Sequence, residues 1–373
     1  MPDAVCLARF LAGLPDPRDR RGRRFPLVAM VAAAAAGVLA GARSLTAIAE
    51  WINDAPRWVS MALGFAVDPF TKTVTVPRPT TVMRLLTRLD GDALDTAVSA
   101  FLQATSTDRG TTKARWRAVA VDGKQLRGSR AAGGKAVWLL AAMDHAGTVL
   151  GQRQIEAKSN ETPAFVPLLQ DLGLENTVIT ADAAHTRHAN GRWLREQGAH
   201  YIAVVKGNHP GLLKQLRTLP WADIALDHKD RTRGRGRLEV RHLKTVTFRH
   251  LSYPGARQAL RVVRWRKDLT SGKTTIKRLY FVTSLPPGAV SGAQIADWIR
   301  SHWKIENQLH HVRDTTFAED AARIRVGSLP RAMASLRNLA ISVFRQDDHT
   351  NIAAACRYTA RDPQRPLTAL GIT

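Results

Sequence analysis

Cysteine is nearly absent from the 373 residues. Cys6 and Cys356 stand at opposite ends, and there is no Cys-x-x-Cys pair. That excludes a zinc finger, argues against a disulfide framework and fits a cytoplasmic compartment. Acidic residues are scarce beside basic ones: 31 Asp+Glu against 55 Lys+Arg leave a net charge of +24. Such an excess points to a polyanionic partner, because counterion release from phosphates drives nucleic-acid binding; Arg enrichment from genome composition is the alternative. A long, strongly apolar run is missing too. Phe25–Ala42 is almost uncharged and follows the basic run Arg18–Arg24, but it is mostly Ala and Gly and holds Pro26. It starts too far from Met1 for a signal peptide and is too weakly apolar to span a membrane. A buried helix that allows close packing is expected there. There is no internal repeat. The 45% hydrophobic content is enough for a core, and the length allows two or three domains.

Residues 1–108 read as a helical domain suited to DNA binding. Val82, Leu85, Leu86 and Leu89 follow the amphipathic spacing, with Thr80 as N-cap. Arg84 and Arg88 then share one exposed face, either as a groove-reading pair or as a solvated face. A polar linker, Ser106–Lys113, precedes a change of texture. Ala118–Val121, Ala136–Met143, Thr148–Glu156, Thr177–Thr180 and Tyr201–Val205 read as strands. Asp144–Gly147 forms a hairpin turn, and helices cover Pro163–Leu172 and Arg187–Gln197. The order β-β-β-α-β-α-β implies a mixed five-stranded sheet flanked by helices. Residues 215–284 read as a basic, β-rich insertion: Trp221–Tyr280 holds 16 Lys+Arg against 5 Asp+Glu. Within it, Arg231–Arg237, with Arg233, Arg235 and Arg237, reads as a flexible basic loop. A long helix starts near Gly292, another opens at Pro330 under a Ser328 cap, and a last short one covers Asn351–Ala360 before a Pro-containing tail.

Three acids stand out by placement. Asp122 follows the first apolar strand and Asp182 ends the strand after the first crossover helix, positions where functional side chains gather on a rigid scaffold. Glu306 falls on a mostly apolar stripe when residues 295–313 are wound at 3.6 per turn, with Ile295, Ile299, His302, Leu309 and Arg313. An ionised carboxylate there needs a positive partner. Arg313 could supply it as a salt bridge, or the three carboxylates could share a hard cation, Mg²⁺ or Mn²⁺.

The chain resembles the DDE transposases of bacterial insertion sequences, in the group called ISAs-one of the IS-four superfamily, as do the H-repeat-associated proteins. The resemblance rests on Leu14-Pro15-Asp16-Pro17-Arg18, Leu39–Ser44, Val121-Asp122-Gly123-Lys124, Lys158-Ser159-Asn160-Glu161, Thr180–Thr186 and Val205-Lys206-Gly207-Asn208. Its most specific part is His302-Trp303-Lys304-Ile305-Glu306-Asn307, continuing through Leu309-His310 to Asp314–Asp320. It implies a ribonuclease H-like catalytic domain over 109–373, interrupted by the insertion. It also implies an Asp122/Asp182/Glu306 triad converging on two Mg²⁺ ions, for which Mn²⁺ can substitute. The implied reaction is metal-dependent cleavage at element ends and strand transfer into target duplex DNA by a dimer in a synaptic complex. The superfamily's Tyr-x2-Arg-x3-Glu-x6-Lys signature is altered: Ile299 replaces Tyr, His302 replaces Arg, a switch to a part-time cation, and Arg313 replaces Lys. Lys124, Lys206, His302, Asn307 and Arg313 are the expected DNA contacts around the triad. Trp265, among Arg264, Arg266 and Lys267, is a candidate for stacking an extruded base, against the alternative that it packs the insertion's own core. The carboxylates alone suit equally a nuclease without strand transfer, and a catalytically dead DNA-binding remnant is a third reading.

Overall fold

The computed structural model describes residues 5–108, 116–130, 134–156, 161–248 and 250–372. Most of the Ser106–Lys113 linker and of the Lys158–Glu161 segment lies outside them. Two compact units emerge. One comprises Met1–Thr112, Gly123–Asn160 and Glu306–Thr373; the other comprises Lys113–Asp122 and Glu161–Ile305.

The first unit opens with six helices: α1 (Leu7–Leu11), α2 (Leu27–Leu39), α3 (Leu45–Asp54), α4 (Arg57–Ala62), α5 (Pro79–Arg88) and α6 (Gly91–Asp108). Helix α2 is the Ala-rich run, and every residue but Val28 is buried. Small side chains let its neighbours approach: a Cβ on Gly37 would meet the Ile48 backbone of α3 at 3.5 Å. No helix among the described residues is long and apolar enough to cross a membrane. Helix α5 starts at Pro79, one residue before the expected cap, because proline at the first helical position needs no hydrogen bond. Val82, Leu85 and Leu86 are buried, and Arg84 and Arg88 are exposed as the spacing requires.

Strand β1 (Arg117–Leu126) is divided between the units; β2 (Val137–Asp144) and β3 (Val149–Ile155) follow in the first. The β2–β3 turn is the expected one: Asp144 Oδ1 accepts from the amides of Ala146, Gly147 and Thr148, and Gly147 takes φ +106.

The second unit carries α7 (Phe165–Leu169), β4 (Thr177–Ala181), α8 (His188–Glu196), β5 (His200–Val205), α9 (Pro210–Thr218), β6 (His228–Gly234), β7 (Arg237–Thr247), β8 (Gln258–Asp268), β9 (Thr274–Thr283) and α10 (Gly292–Ser301). β1 pairs parallel with β4, β4 parallel with β5, and β5 antiparallel with β9. Ile295 and Trp298 of α10 pack on Val178, Ile202, Leu260, Val262 and Phe281.

The sheet therefore has nine strands, in the order β3-β2-β1-β4-β5-β9-β8-β7-β6, and not five. The four strands from the basic block extend the sheet because β9 supplies the pairing edge that β5 needs. Arg231–Arg237 is not a loop either. It is the β6–β7 hairpin, turned at Arg235 (φ +47) and Gly236 (φ +69).

The C-terminal part of the first unit departs from one continuous helix. After α10 the chain turns at His302 and Trp303, runs through a π-helical stretch at Ile305–His310, and continues as α11 (His311–Thr315). α12 (Leu329–Gln346) and α13 (Ile352–Thr359) follow, and the supposed tail forms α14 (Gln364–Ala369). Ser328 precedes α12 without a capping bond from its side chain, whereas Asn351 caps α13 through the amide of Ala354.

Candidate functional site

Two of the three acids are brought together by strand pairing within the second unit. The β1–β4 register ends at Val121↔Ala181, so the next residues, Asp122 and Asp182, leave neighbouring parallel strands side by side. Asp122 is not at the end of its strand, because β1 continues to Leu126. It stands where the pairing to β4 stops. Asp182 is exposed and precedes the 3₁₀ turn Ala183–His185. Its carboxyl is raised by burial, but hydrogen bonds from the Ala183 amide and Lys206 prevail and hold it below the usual range. Lys206 Nζ donates to Asp182 Oδ1 at 3.1 Å.

His302 lies behind this pair. Its Nδ1 is 3.3 Å from Thr180 Oγ1 on β4, and burial pushes its pKa down to about 4. At neutral pH it is an uncharged ring wedged against the strand, not the cation its place in the altered signature suggests. His185, which is buried, meets Glu161 at 3.2 Å and stacks on Phe165. Both residues belong to segments that carried the resemblance, yet nothing in the sequence assigned them a partner.

Glu306 belongs to the first unit. The π stretch shifts it off the apolar stripe, and its side chain is 53% exposed. It makes no ion pair with Arg313. Instead Glu306 Oε2 meets His310 Nδ1 at 3.1 Å. That bond, outweighing the opposing effect of burial and helped by the nearby charge of Lys124, holds the carboxyl below its usual range. Asn307 is exposed beside it.

Two of the expected phosphate contacts are internal. Lys124 is 8% exposed, with its ammonium 2.7 Å from Asp314 and 3.8 Å from Asp320. Arg313 is 0% exposed and binds Glu319 at 2.8 Å, while Glu319 also takes Arg337 at 2.9 Å. A buried guanidinium must be matched in place because desolvation is costly, so neither side chain is available to DNA. Glu319 belongs to the Asp314–Asp320 segment, but a single acid in a polar stretch gives no sign that it neutralises two arginines.

Arg231, Arg233 and Arg235 are exposed at the β6–β7 hairpin without a carboxylate partner among the described residues, whereas Arg237 pairs with Glu239. Register places Arg231, Arg233, Trp265, Lys267 and Arg278 on one face of the sheet. That face is closed at Val263 and opens at Trp265, which is half-buried with its ring edge-on to His242 at 4.7 Å. Arg264 and Arg266 point to the opposite face, as alternation requires.

These features coincide with a known family. The sequence profile described as DDE_Tnp_1-associated matches residues 8–102, and the one described as Transposase DDE domain matches residues 114–342. The Escherichia coli O157:H7 protein named "Putative transposase YncI" is 25% identical over 357 residues, covering 91% of this chain and 87% of its own. The Escherichia coli K12 protein named "H repeat-associated putative transposase YhhI" is 27% identical over 250 residues, covering 61% of this chain and 64% of its own. Among solved structures, a piggyBac transposase synaptic complex with hairpin DNA aligns with a TM-score of 0.40 at 10% identity, over 92% of this chain and 72% of that one. That likeness is too loose to carry an argument. The family profile alone spans more than half of the sequence, Asp122, Asp182 and Glu306 included, and on that ground the chain belongs to the Transposase DDE domain family.

Proposed function

We propose that the protein is an insertion-sequence transposase of the ISAs-one group that cleaves double-stranded DNA at element ends and joins the freed 3′ end to target DNA. Asp122, Asp182 and Glu306 would be its catalytic carboxylates. The observation that carries this reading is the emergence of Asp122 and Asp182 from adjacent parallel strands, in a chain whose family profile also embraces Glu306. The donor set suits a hard divalent cation such as Mg²⁺. All three groups are oxygen donors, and Asp182 and Glu306 are held below their usual pKa. Each also engages its basic neighbour through one oxygen only. Two such ions, when bound, would activate a water and stabilise the leaving 3′ oxygen.

The chain's own groups have narrower tasks. Lys206 neutralises Asp182 and, at 54% exposure, is placed to meet a phosphate next to it. Neutral His302 fills the space behind Asp182 without adding charge. The exposed arginines of the β6–β7 hairpin would grip the duplex backbone. A ribonuclease H-like catalytic region over 109–373, with the helices of 1–108 helping to hold DNA, fits the parallel order β1-β4-β5. We place the reaction in the cytoplasm, carried out by a dimer on paired element ends.

The test is a nicking assay with Mg²⁺ on DNA from the ends of the element that encodes the protein, followed by addition of target DNA. Cleavage and joining by the wild type, with Glu306→Gln lowering cleavage by roughly 10²–10³-fold while end binding persists, supports the reading. Cleavage without joining would make the protein a nuclease. Binding without cleavage would make it a remnant.

A further inference from the structure

We infer that His310 is the positioning residue of Glu306: its Nδ1–H anchors Oε2 and thereby fixes Oε1 as the oxygen offered to a metal ion. The inference rests on the proposed role of Glu306 and adds a residue to it.

Geometry carries the argument. His310 is 2% exposed, so its ring cannot swing away to solvent. Glu306 is four residues upstream in the same π-helical stretch, a form of helix that occurs mostly as short interruptions at functional sites. The contact is 3.1 Å, between Nδ1 and Oε2. An ionised carboxylate can only accept, so the hydrogen in this bond comes from Nδ1. Donation from Nδ1 fixes the rotamer of the ring and puts the hydrogen of the bond on that nitrogen. Without the bond, Glu306 is an exposed side chain with three rotatable torsions, and it would have to be ordered each time a cation binds. Carboxylate ligands are commonly held by such an outer hydrogen bond, and losing it typically weakens metal affinity or activity by about 10–100-fold.

Amide side chains give a discriminating test. The Asn nitrogen can stand where Nδ1 stands, whereas the Gln nitrogen reaches the position of Nε2. Mn²⁺ affinity would be measured on the full-length chain by calorimetry, beside cleavage of element-end DNA. His310→Ala should weaken Mn²⁺ binding about 10–100-fold. His310→Asn should recover most of that loss, and His310→Gln should not. Wild-type Mn²⁺ affinity in His310→Ala, or equal loss in folded His310→Asn and His310→Gln, would overturn the inference. ¹⁵N spectra of histidine-labelled wild type should show the Nδ1–H tautomer at His310; the Nε2–H form would overturn it even where a variant misfolds. Nitrogen coupling from His310 in the electron spin echo of bound Mn²⁺ would overturn it too, by making His310 a ligand. Failure of the proposed function is separable: Glu306→Gln would then bind Mn²⁺ like the wild type.

Discussion

The arginines of the two units do opposite work. In the first unit Arg313, Arg331 and Arg337 are buried, and each meets carboxylates: Glu319 holds Arg313 and Arg337, and Asp92 and Asp95 hold Arg331. In the second, Arg231, Arg233, Arg235, Lys267, Lys277 and Arg278 are exposed along β6, β8, β9 and the hairpin turn, with no carboxylate partner among the described residues. These buried charges of the first unit are matched internally and specify how its helices pack. These exposed charges of the second are left for something outside the chain. The net charge of +24 therefore understates how unevenly binding potential is distributed.

The sharpest way to break this comparison is at Glu319. Glu319→Ala would strand two buried guanidinium groups and should cost about 3–5 kcal/mol, a large share of a typical domain's stability. Replacing the cluster together, Arg313→Met, Glu319→Leu and Arg337→Met, should recover most of that loss, since a well-packed apolar triad can match a buried ionic one. Denaturant midpoints would decide. A loss below about 1 kcal/mol for Glu319→Ala would mean that the cluster is hydrated and the contrast between the units is false.

The second test reverses the expectation. Arg231→Ala, Arg233→Ala and Arg235→Ala together should leave the unfolding midpoint within about 0.5 kcal/mol, as surface changes do. The same variant should flatten the dependence of log Kd on log salt by about 2–3 units, if each arginine meets one phosphate. An unchanged slope would remove the hairpin from the DNA interface.

The smallest effect concerns the second unit's interior, which shelters uncharged imidazoles where the first unit shelters guanidinium. Burial, with Arg195 close by, pushes His200 down to about 4 from its ordinary 6.5. Between those values the unfolded chain binds a proton that the folded chain refuses, so stability rises with pH in this window. As pH falls from 6.5 towards 4, stability should drop with a slope of up to about 1.4 kcal/mol per pH unit for this one proton. His200→Gln should remove its share of that slope and keep the share due to His302, which shares the same direction. Acid titration of both proteins, followed by fluorescence, measures it.

What could be read from the sequence follows from local pattern. The parallel strands ending near Asp122 and Asp182 were legible because apolar runs there stop abruptly at an acid. β7 and β8 fall within the block read as β-rich, where β-branched residues are spaced between arginines. β6 was not: His-Lys-Asp-Arg-Thr-Arg-Gly has almost no strand propensity, and it is a strand because β7 pairs with it along its whole length. Its charges suit the sheet's rim, where they also discourage pairing with another chain. Glu306 was found through its surrounding segment, but its direction was misjudged, since winding at 3.6 residues per turn assumes an unbroken α-helix. The Arg313–Glu319 and Lys124–Asp314 pairs were invisible, because which cation meets which acid is decided by tertiary packing.

The π-helical stretch has a consequence for the history of such elements. A π turn is one extra residue accommodated inside a helix, and each helical residue advances the side-chain direction by about 100°. Loss of the single codon for Ile305, at the start of that stretch, would leave every catalytic residue type in place and the reading frame intact, yet swing the glutamate towards the apolar side. Copies silenced in this way would look whole to any inspection of residue identity. They would betray themselves only by a gap of one position in that helix.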